Sequence, residues 1–236
     1  MESNRPDRRL WTWVALVTIA GLAVLAYGVS GATSDDLKVL LLLLALGALA
    51  ERYAVGLFDS HISVGVVAVL AAAILGGLWG VALVAPAIVL IGQLRSDAAW
   101  YKRAYNAATY TLAGAAFAAI FELYGDPATP EAWPVVLVPA LLGALANYAI
   151  NSALVATAIA LSNGEPIVPA WRKRYGWMLP QYLIIGLAAM ATATAYHIVG
   201  LWGLAVFAAP VAGIRHAYFL GSRFLPREQS VDQRAA

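Results

Sequence analysis

The feature that most constrains this chain is a succession of long apolar runs separated by short polar segments. A run of about 20 apolar residues can cross the hydrocarbon core of a bilayer as a helix. Only 12% of the residues are charged, whereas soluble domains carry about 25%. We therefore predict an all-α integral membrane protein with eight transmembrane helices, at residues 10–28, 37–50, 62–75, 79–94, 105–123, 133–161, 177–199 and 201–220.

The basic residues support this segmentation. If the N-terminus lies in the cytoplasm, every one of the 15 Lys and Arg residues except Lys38 lies on the cytoplasmic side, with Arg215 at the inner end of the eighth span. An excess of Lys and Arg in short loops marks the cytoplasmic side of a membrane protein. We predict a multi-pass protein of the plasma membrane with both termini cytoplasmic. Residues 1–9 and 221–236 are then polar cytoplasmic segments that flank a transmembrane domain at residues 10–220.

One short sequence occurs twice. Gly77-Leu78-Trp79-Gly80 recurs as Gly200-Leu201-Trp202-Gly203, and each copy is followed by a proline, Pro86 or Pro210. Internal similarity of this kind indicates a repeat architecture. Four predicted spans separate the copies, so both would have the same orientation, with halves at 10–103 and 104–220 in a 4+4 parallel repeat. The glycines permit a tight hairpin at each copy.

Two amides on the sixth run are the main candidates for binding a ligand. Asn147 and Asn151 lie four positions apart, so they share one helix face near the middle of the run. Polar side chains inside a membrane are expensive and usually line a cavity or bond a neighbouring helix. The pair therefore predicts either a site for a polar ligand group or a structural contact between helices.

Further polar residues are expected near this pair. Asn106 and Tyr110 lie on one face of the fifth run, and Gln181 and Tyr182 begin the seventh. Together with the two amides they are predicted to line a vestibule open to the cytoplasm. Helix capping and bonds between helices are the alternative roles for these four side chains.

Catalysis is a second hypothesis. Glu51, Asp59 and His61 could serve a membrane enzyme that acts on a lipid-borne substrate at the cytoplasmic face. The chain has no cysteine and no Gly-x-Ser-x-Gly, His-Glu-x-x-His or phosphate-binding loop motif. No catalytic residue, metal or cofactor is therefore assigned. A structural subunit without a ligand is the third alternative.

Residues 57–112 also resemble a known family. Ser63 lies in a short loop, which is followed by an alanine-rich span, a Gly-Gly turn, a proline-containing span and a basic loop. The motif Tyr105-Asn106-Ala107-Ala108 then opens the next span. This arrangement resembles the vitamin-uptake-like sensor domains of bacterial membranes, which carry an aromatic-Asn-Ala-Ala motif. Those domains are in turn similar to the S components of energy-coupling-factor transporters.

The resemblance implies a function. It implies that the helix bundle binds a small, partly apolar molecule, as a sensor or as the substrate-binding part of a transporter. The implied partners are membrane lipids, the small-molecule ligand and a separate signalling or energy-coupling subunit, and no nucleic acid. The S components usually have six spans, whereas eight are predicted here.

Overall fold

The computed structural model describes residues 8–34, 37–51, 55–57, 60–62, 65–94, 98–124 and 134–205. These residues form a helical protein with one short pair of strands, β1 and β2, which are antiparallel and pair Gly56 with His61. The elements are α1 Arg8–Ser30, α2 Leu37–Glu51, β1 Val55–Leu57, β2 Ser60–Ile62, α3 Gly65–Gly92, α4 Trp100–Leu123, α5 Leu137–Asn163, α6 Ile167–Tyr175, α7 Leu179–Val199 and a 3₁₀ turn at Gly200–Leu204.

Helices that could cross a membrane are present, as expected for a membrane protein. In the described part of the chain, four helical stretches are long and apolar enough by residue count and composition: Arg8–Ser30, Gly65–Gly92, Leu137–Asn163 and Leu179–Leu204. The stretch Gly65–Gly92 reaches this length only when its two arms, which meet at Gly77, are counted together. The predicted total of eight spans is not confirmed. Helix α2 is about 22 Å long, shorter than a bilayer core of about 30 Å, and most of the run at 201–220 lies outside the described residues.

Helix α3 folds back on itself at Gly77. This residue has φ 54° and ψ −141°, a conformation that is accessible essentially to glycine alone. A β-carbon at Gly80 would overlap the carbonyl oxygen of Ala72, although residues eight apart in a straight helix are separated by about 12 Å. Residues 65–76 and 78–92 are therefore two antiparallel arms of a hairpin. The tight turn predicted at the first Gly-Leu-Trp-Gly copy is present.

The second copy has the same local geometry. Gly200 has φ 62° and ψ −142°, and a β-carbon at Gly203 would overlap the backbone of Ala195. Both glycine pairs thus reverse the chain in the same way. The residues after Ala205 lie outside the described structure, and α2 is much shorter than α5, so the parallel repeat of whole halves remains a prediction.

The α3 hairpin lies at the centre of the core. It packs against α1, α2, α4 and α7, and both arms are apolar on all sides, as expected of a helix that is covered all round. Leu40 of α2 reaches Gly76 and Gly80 near the tip of the hairpin, and Phe117 of α4 is fully buried in the same core. Small residues, mainly alanine and glycine, allow these helices to approach closely.

One end of the bundle is marked by hydrogen bonds between helices and by basic residues. Trp13 of α1 donates an Nε1 hydrogen bond to the Tyr105 hydroxyl at 3.0 Å. That hydroxyl donates to the carbonyl oxygen of Leu154 at 2.6 Å. These bonds join α1, α4 and α5 at one end of the bundle.

The described basic residues other than Lys38 lie at this same end, which we call the basic end. The opposite end contains Gly77 and Gly200, and we call it the glycine end. The basic-end residues are Arg8, Arg9, Lys102, Arg103, Arg172, Lys173 and Arg174.

Three segments that lie between the predicted spans contain regular structure. Residues 100–103 belong to the first turn of α4, where the Tyr101 ring lies 4.7 Å from that of Trp11. The polar segment at 162–175 contains α6, held by a 2.8 Å hydrogen bond from Trp171 Nε1 to Ser152 Oγ. The segment after the second predicted span contains the paired strands β1 and β2, and β2 includes Ile62, which was predicted to begin the third span.

Candidate functional site

Four of the six predicted ligand-binding residues meet at one cavity. Asn147 and Asn151 of α5, Tyr110 of α4 and Tyr182 of α7 lie around it. They meet because α7 begins opposite the middle of α5, so the fourth residue of α7 faces the centre of a much longer helix. The remaining wall is apolar and consists of Val66, Val69 and Ala113.

Asn151 is only partly satisfied at this cavity. Its Nδ2 atom donates a hydrogen bond to the Tyr182 hydroxyl at 2.6 Å. Its Oδ1 atom is buried and has no hydrogen-bond partner among the described residues. Asn147 is only 3% exposed. A buried acceptor without a partner costs about 1–3 kcal/mol, and a hydrogen bond donated to Asn151 Oδ1 would remove this cost.

An aromatic cluster fixes the position of Tyr182. The Tyr148 ring lies 5.3 Å from the Tyr182 ring and 6.2 Å from the Trp171 ring. The Tyr148 hydroxyl donates to the carbonyl oxygen of Tyr175 at 2.8 Å. Through these contacts α6 and the start of α7 are held against α5.

The cavity is small in this structure. Its volume is ≈ 10 Å³, which is space for about one water molecule. Sites for small organic ligands usually measure about 300–1,000 Å³. The helices around Asn151 are therefore closed, and a larger ligand requires them to separate.

The structure does not bring the other two predicted residues to the cavity. Asn106 is half-buried and lies one turn closer to the basic end than Tyr110. Gln181 adjoins Tyr182, and its Oε1 atom is buried without a hydrogen-bond partner among the described residues.

The sequence did not predict the apolar residues of the cavity wall, because valine and alanine carry no chemical signal of a site.

The residues of the catalytic hypothesis are only partly described. Glu51 ends α2 and lies against Gly92 at the end of α3. Burial raises the pKa of its carboxyl group to about 7. Asp59 and the side chain of His61 lie outside the described residues. Within the described part of the chain, no group of three or more His, Asp or Glu residues is placed to hold a metal ion.

Comparisons of the whole chain with known protein families, with known proteins and with solved structures found no match. The strongest features are the buried amides of α5 and their contact with Tyr182.

Proposed function

We propose that this chain is a polytopic protein of the bacterial inner membrane that binds a small, partly apolar ligand inside its helix bundle. The observation that carries the proposal is the buried, unpartnered Oδ1 atom of Asn151 beside a cavity that Asn147, Tyr110 and Tyr182 also line. A ligand with one hydrogen-bond donor would satisfy this acceptor, and its apolar part would contact Val66 and Val69.

Ligand entry requires movement of α7 relative to α5. The Tyr148–Tyr182 contact at the start of α7 must break for this movement. Beyond it the two helices meet through small residues, because Gly186 lies against the side chain of Ala144 and the backbone of Ala140. Interfaces without bulky interlocking side chains allow packed helices to slide by small distances. We infer that α7 and the attached α6 shift along α5 and enlarge the cavity.

The resemblance noted above gives the proposed role. The protein would act as a sensor, or as the substrate-binding subunit of a transporter, together with a separate signalling or energy-coupling subunit. Eight spans in two similar halves and cytoplasmic termini belong to this proposal. The described basic residues at one end of the bundle support the orientation, because such residues mark the cytoplasmic side.

The alternative is a membrane enzyme that acts on a lipid-borne substrate at the basic end. The pKa of about 7 at Glu51 supports it, because a carboxyl group that titrates near neutral pH suits general acid–base catalysis. This alternative requires Glu51→Gln to abolish a lipid conversion that Asn147→Leu leaves unchanged.

Ligand-induced stabilisation tests the main proposal. The purified protein is heated in detergent with each member of a panel of water-soluble vitamins, and native mass spectrometry detects any molecule that co-purifies. A ligand present at 100 times its Kd stabilises the folded state by about 2.7 kcal/mol. We expect one compound to raise the Tm of the wild type but not of Asn147→Leu or Asn151→Leu.

Asn163→Leu is the matched control for this experiment. It removes the same kind of side chain from the same helix, at the exposed end where the amide contacts Glu165. This variant should respond to the ligand as the wild type does. An equal response in the Asn147 and Asn151 variants would overturn the proposed site.

A further inference from the structure

A separate groove opens at the basic end, between the first turns of α1 and the last turn of α5. Its volume is ≈ 550 Å³, and it is lined by Arg8, Arg9, Thr12, Trp13, Leu16 and Leu161. It shares no lining residue with the cavity at Asn151. Its chemistry is therefore independent of the proposed ligand site.

The packing of α1 explains the groove. Gly21 places α1 directly against Ala108 of α4, and Gly28 places it against Leu78 and Ala82 of α3. These close contacts draw α1 towards α3 and α4, whereas its packing against α5 is slight. The hydrogen bonds from Trp13 to Tyr105 and from Tyr105 to Leu154 hold the three helices together beside the gap.

The groove combines positive charge with an apolar wall. Two arginines lie at its outer end, where α1 begins, and Leu16, two turns further along α1, is 58% exposed. Thr12 donates its hydroxyl proton to the Arg8 carbonyl oxygen at 2.9 Å, which leaves the hydroxyl oxygen as an acceptor. Guanidinium groups bind phosphate oxygens through paired hydrogen bonds, and the leucines match a hydrocarbon chain.

We propose that this groove binds one anionic phospholipid. The phosphate group lies against Arg8 and Arg9, and one acyl chain follows Leu16 and Leu161. A free phosphate ion would use the arginines alone and leave the apolar wall exposed, so the complete groove fits a lipid. The proposal does not depend on the ligand site at Asn151 and would stand if that site failed.

Lipid retention tests the proposal. The full-length protein is purified into nanodiscs or detergent with phosphatidylglycerol or phosphatidylcholine, and bound lipid is counted by native mass spectrometry. We expect the wild type to retain one phosphatidylglycerol in preference to phosphatidylcholine. In Arg8→Ala/Arg9→Ala, the affinity for phosphatidylglycerol should fall roughly 30-fold at low salt. Equal retention by this variant and the wild type would overturn the proposal.

Two further variants separate a built site from general attraction to a charged surface. Arg172→Ala/Lys173→Ala removes two exposed basic residues from the same end of the bundle and should retain the lipid. Leu16→Trp keeps both arginines but fills the groove, so it should lose the lipid. If Leu16→Trp retains the lipid, the proposal is contradicted. It is also contradicted if Arg172→Ala/Lys173→Ala loses as much lipid as Arg8→Ala/Arg9→Ala.

Inorganic phosphate distinguishes the source of the bound anion. It should raise the Tm of the wild type less than short-chain phosphatidylglycerol does at the same concentration. If phosphate stabilises the protein equally, and Leu16→Trp does not change that effect, the groove is an anion site and not a lipid site. Because Leu16→Trp leaves the charges in place, it keeps the proposal testable even if the double arginine variant does not fold.

Discussion

Only one of the two polar atoms of the Asn151 amide is hydrogen-bonded. The Nδ2 atom is bonded to Tyr182, and the buried Oδ1 atom has no partner among the described residues. At the scale of single residues, this imbalance supports the proposed ligand-binding role of Asn151 over a purely structural contact between helices. A side chain that only joined two helices would gain stability from satisfying both atoms.

The Tyr182 hydroxyl gives the first prediction. Tyr182→Phe removes the acceptor of the Asn151 Nδ2 hydrogen bond while keeping the ring that contacts Tyr148. We expect the free energy of unfolding to fall by about 1 kcal/mol, because hydrogen bonds between membrane helices are worth about that much. Tyr27→Phe, at an exposed ring, is the control. Equal stability of both variants in thermal unfolding would contradict the hydrogen bond.

Glu51 gives a prediction about pH. Its pKa is raised from 4.5 to about 7 because burial disfavours the charged form. Below pH 4.5 the carboxyl group is protonated in both folded and unfolded chains, so its burial costs no free energy of desolvating a charge. As the pH rises from 4.5 to 7, the unfolded chain loses its proton first, so the stability of the folded state falls and then levels off.

Glu51→Gln removes this dependence. We expect the Tm of the variant to exceed that of the wild type above pH 7, and the difference to shrink towards pH 4.5. Thermal unfolding in detergent across this pH range measures the difference. A constant difference at all pH values would show that the carboxyl group titrates normally in the folded protein.

At the scale of secondary structure, the two glycine hairpins are the most distinctive elements. Gly77 and Gly200 share one unusual conformation, and Gly80 and Gly203 each lie against the backbone eight residues earlier. The sequence predicted the turns because glycine is the residue that tolerates both the positive φ and the close approach.

Substitution of the second glycine in each copy tests whether the hairpins are equivalent. Gly80→Ala and Gly203→Ala should both destabilise the protein by at least about 2 kcal/mol, because the added methyl group overlaps backbone atoms that cannot move aside. Gly31→Ala, whose nearest new contact would be 3.7 Å away, should have little effect. If only Gly80→Ala greatly lowers the free energy of unfolding, the second hairpin contributes little to stability.

Other elements could not be predicted from local pattern. The first turn of α4 and the second half of α6 each carry a basic cluster, and α6 also contains Pro169, so neither was predicted as part of a helix. Contacts made by Tyr101 and Trp171 stabilise both as helices. For the site, the spacing of Asn147 and Asn151 predicted a shared face. The position at which α7 begins decides whether Tyr182 meets this face and whether the cavity is closed. Only tertiary packing determines that position.

At the scale of the whole molecule, the described basic residues divide unequally between the two ends. Lys38 lies at the glycine end, and the others lie at the basic end or on α6 beside it. Such a distribution fits a protein held in one orientation by the membrane. It follows from the sequence alone, because charge placement is visible before any packing is known.

Single cysteines can test this orientation, because the natural chain has none. Ala32 lies between α1 and α2 at the glycine end, and Lys173 lies on α6; both are exposed. We expect a membrane-impermeant maleimide to label Ala32→Cys in intact spheroplasts, and Lys173→Cys only after the membrane is opened. Labelling of Lys173→Cys in intact spheroplasts would contradict the proposed topology.

The α3 hairpin also bears on how the protein is made. Its two arms are about 18 Å and about 22 Å long, each shorter than the bilayer core of about 30 Å. Neither arm is therefore a sufficient signal for insertion as it leaves the ribosome. We expect the arms to enter the membrane as a pair. Their contacts with α4 and α7 can form only after those later helices have been synthesised, so completion of the core is expected to follow synthesis of the C-terminal half of the chain.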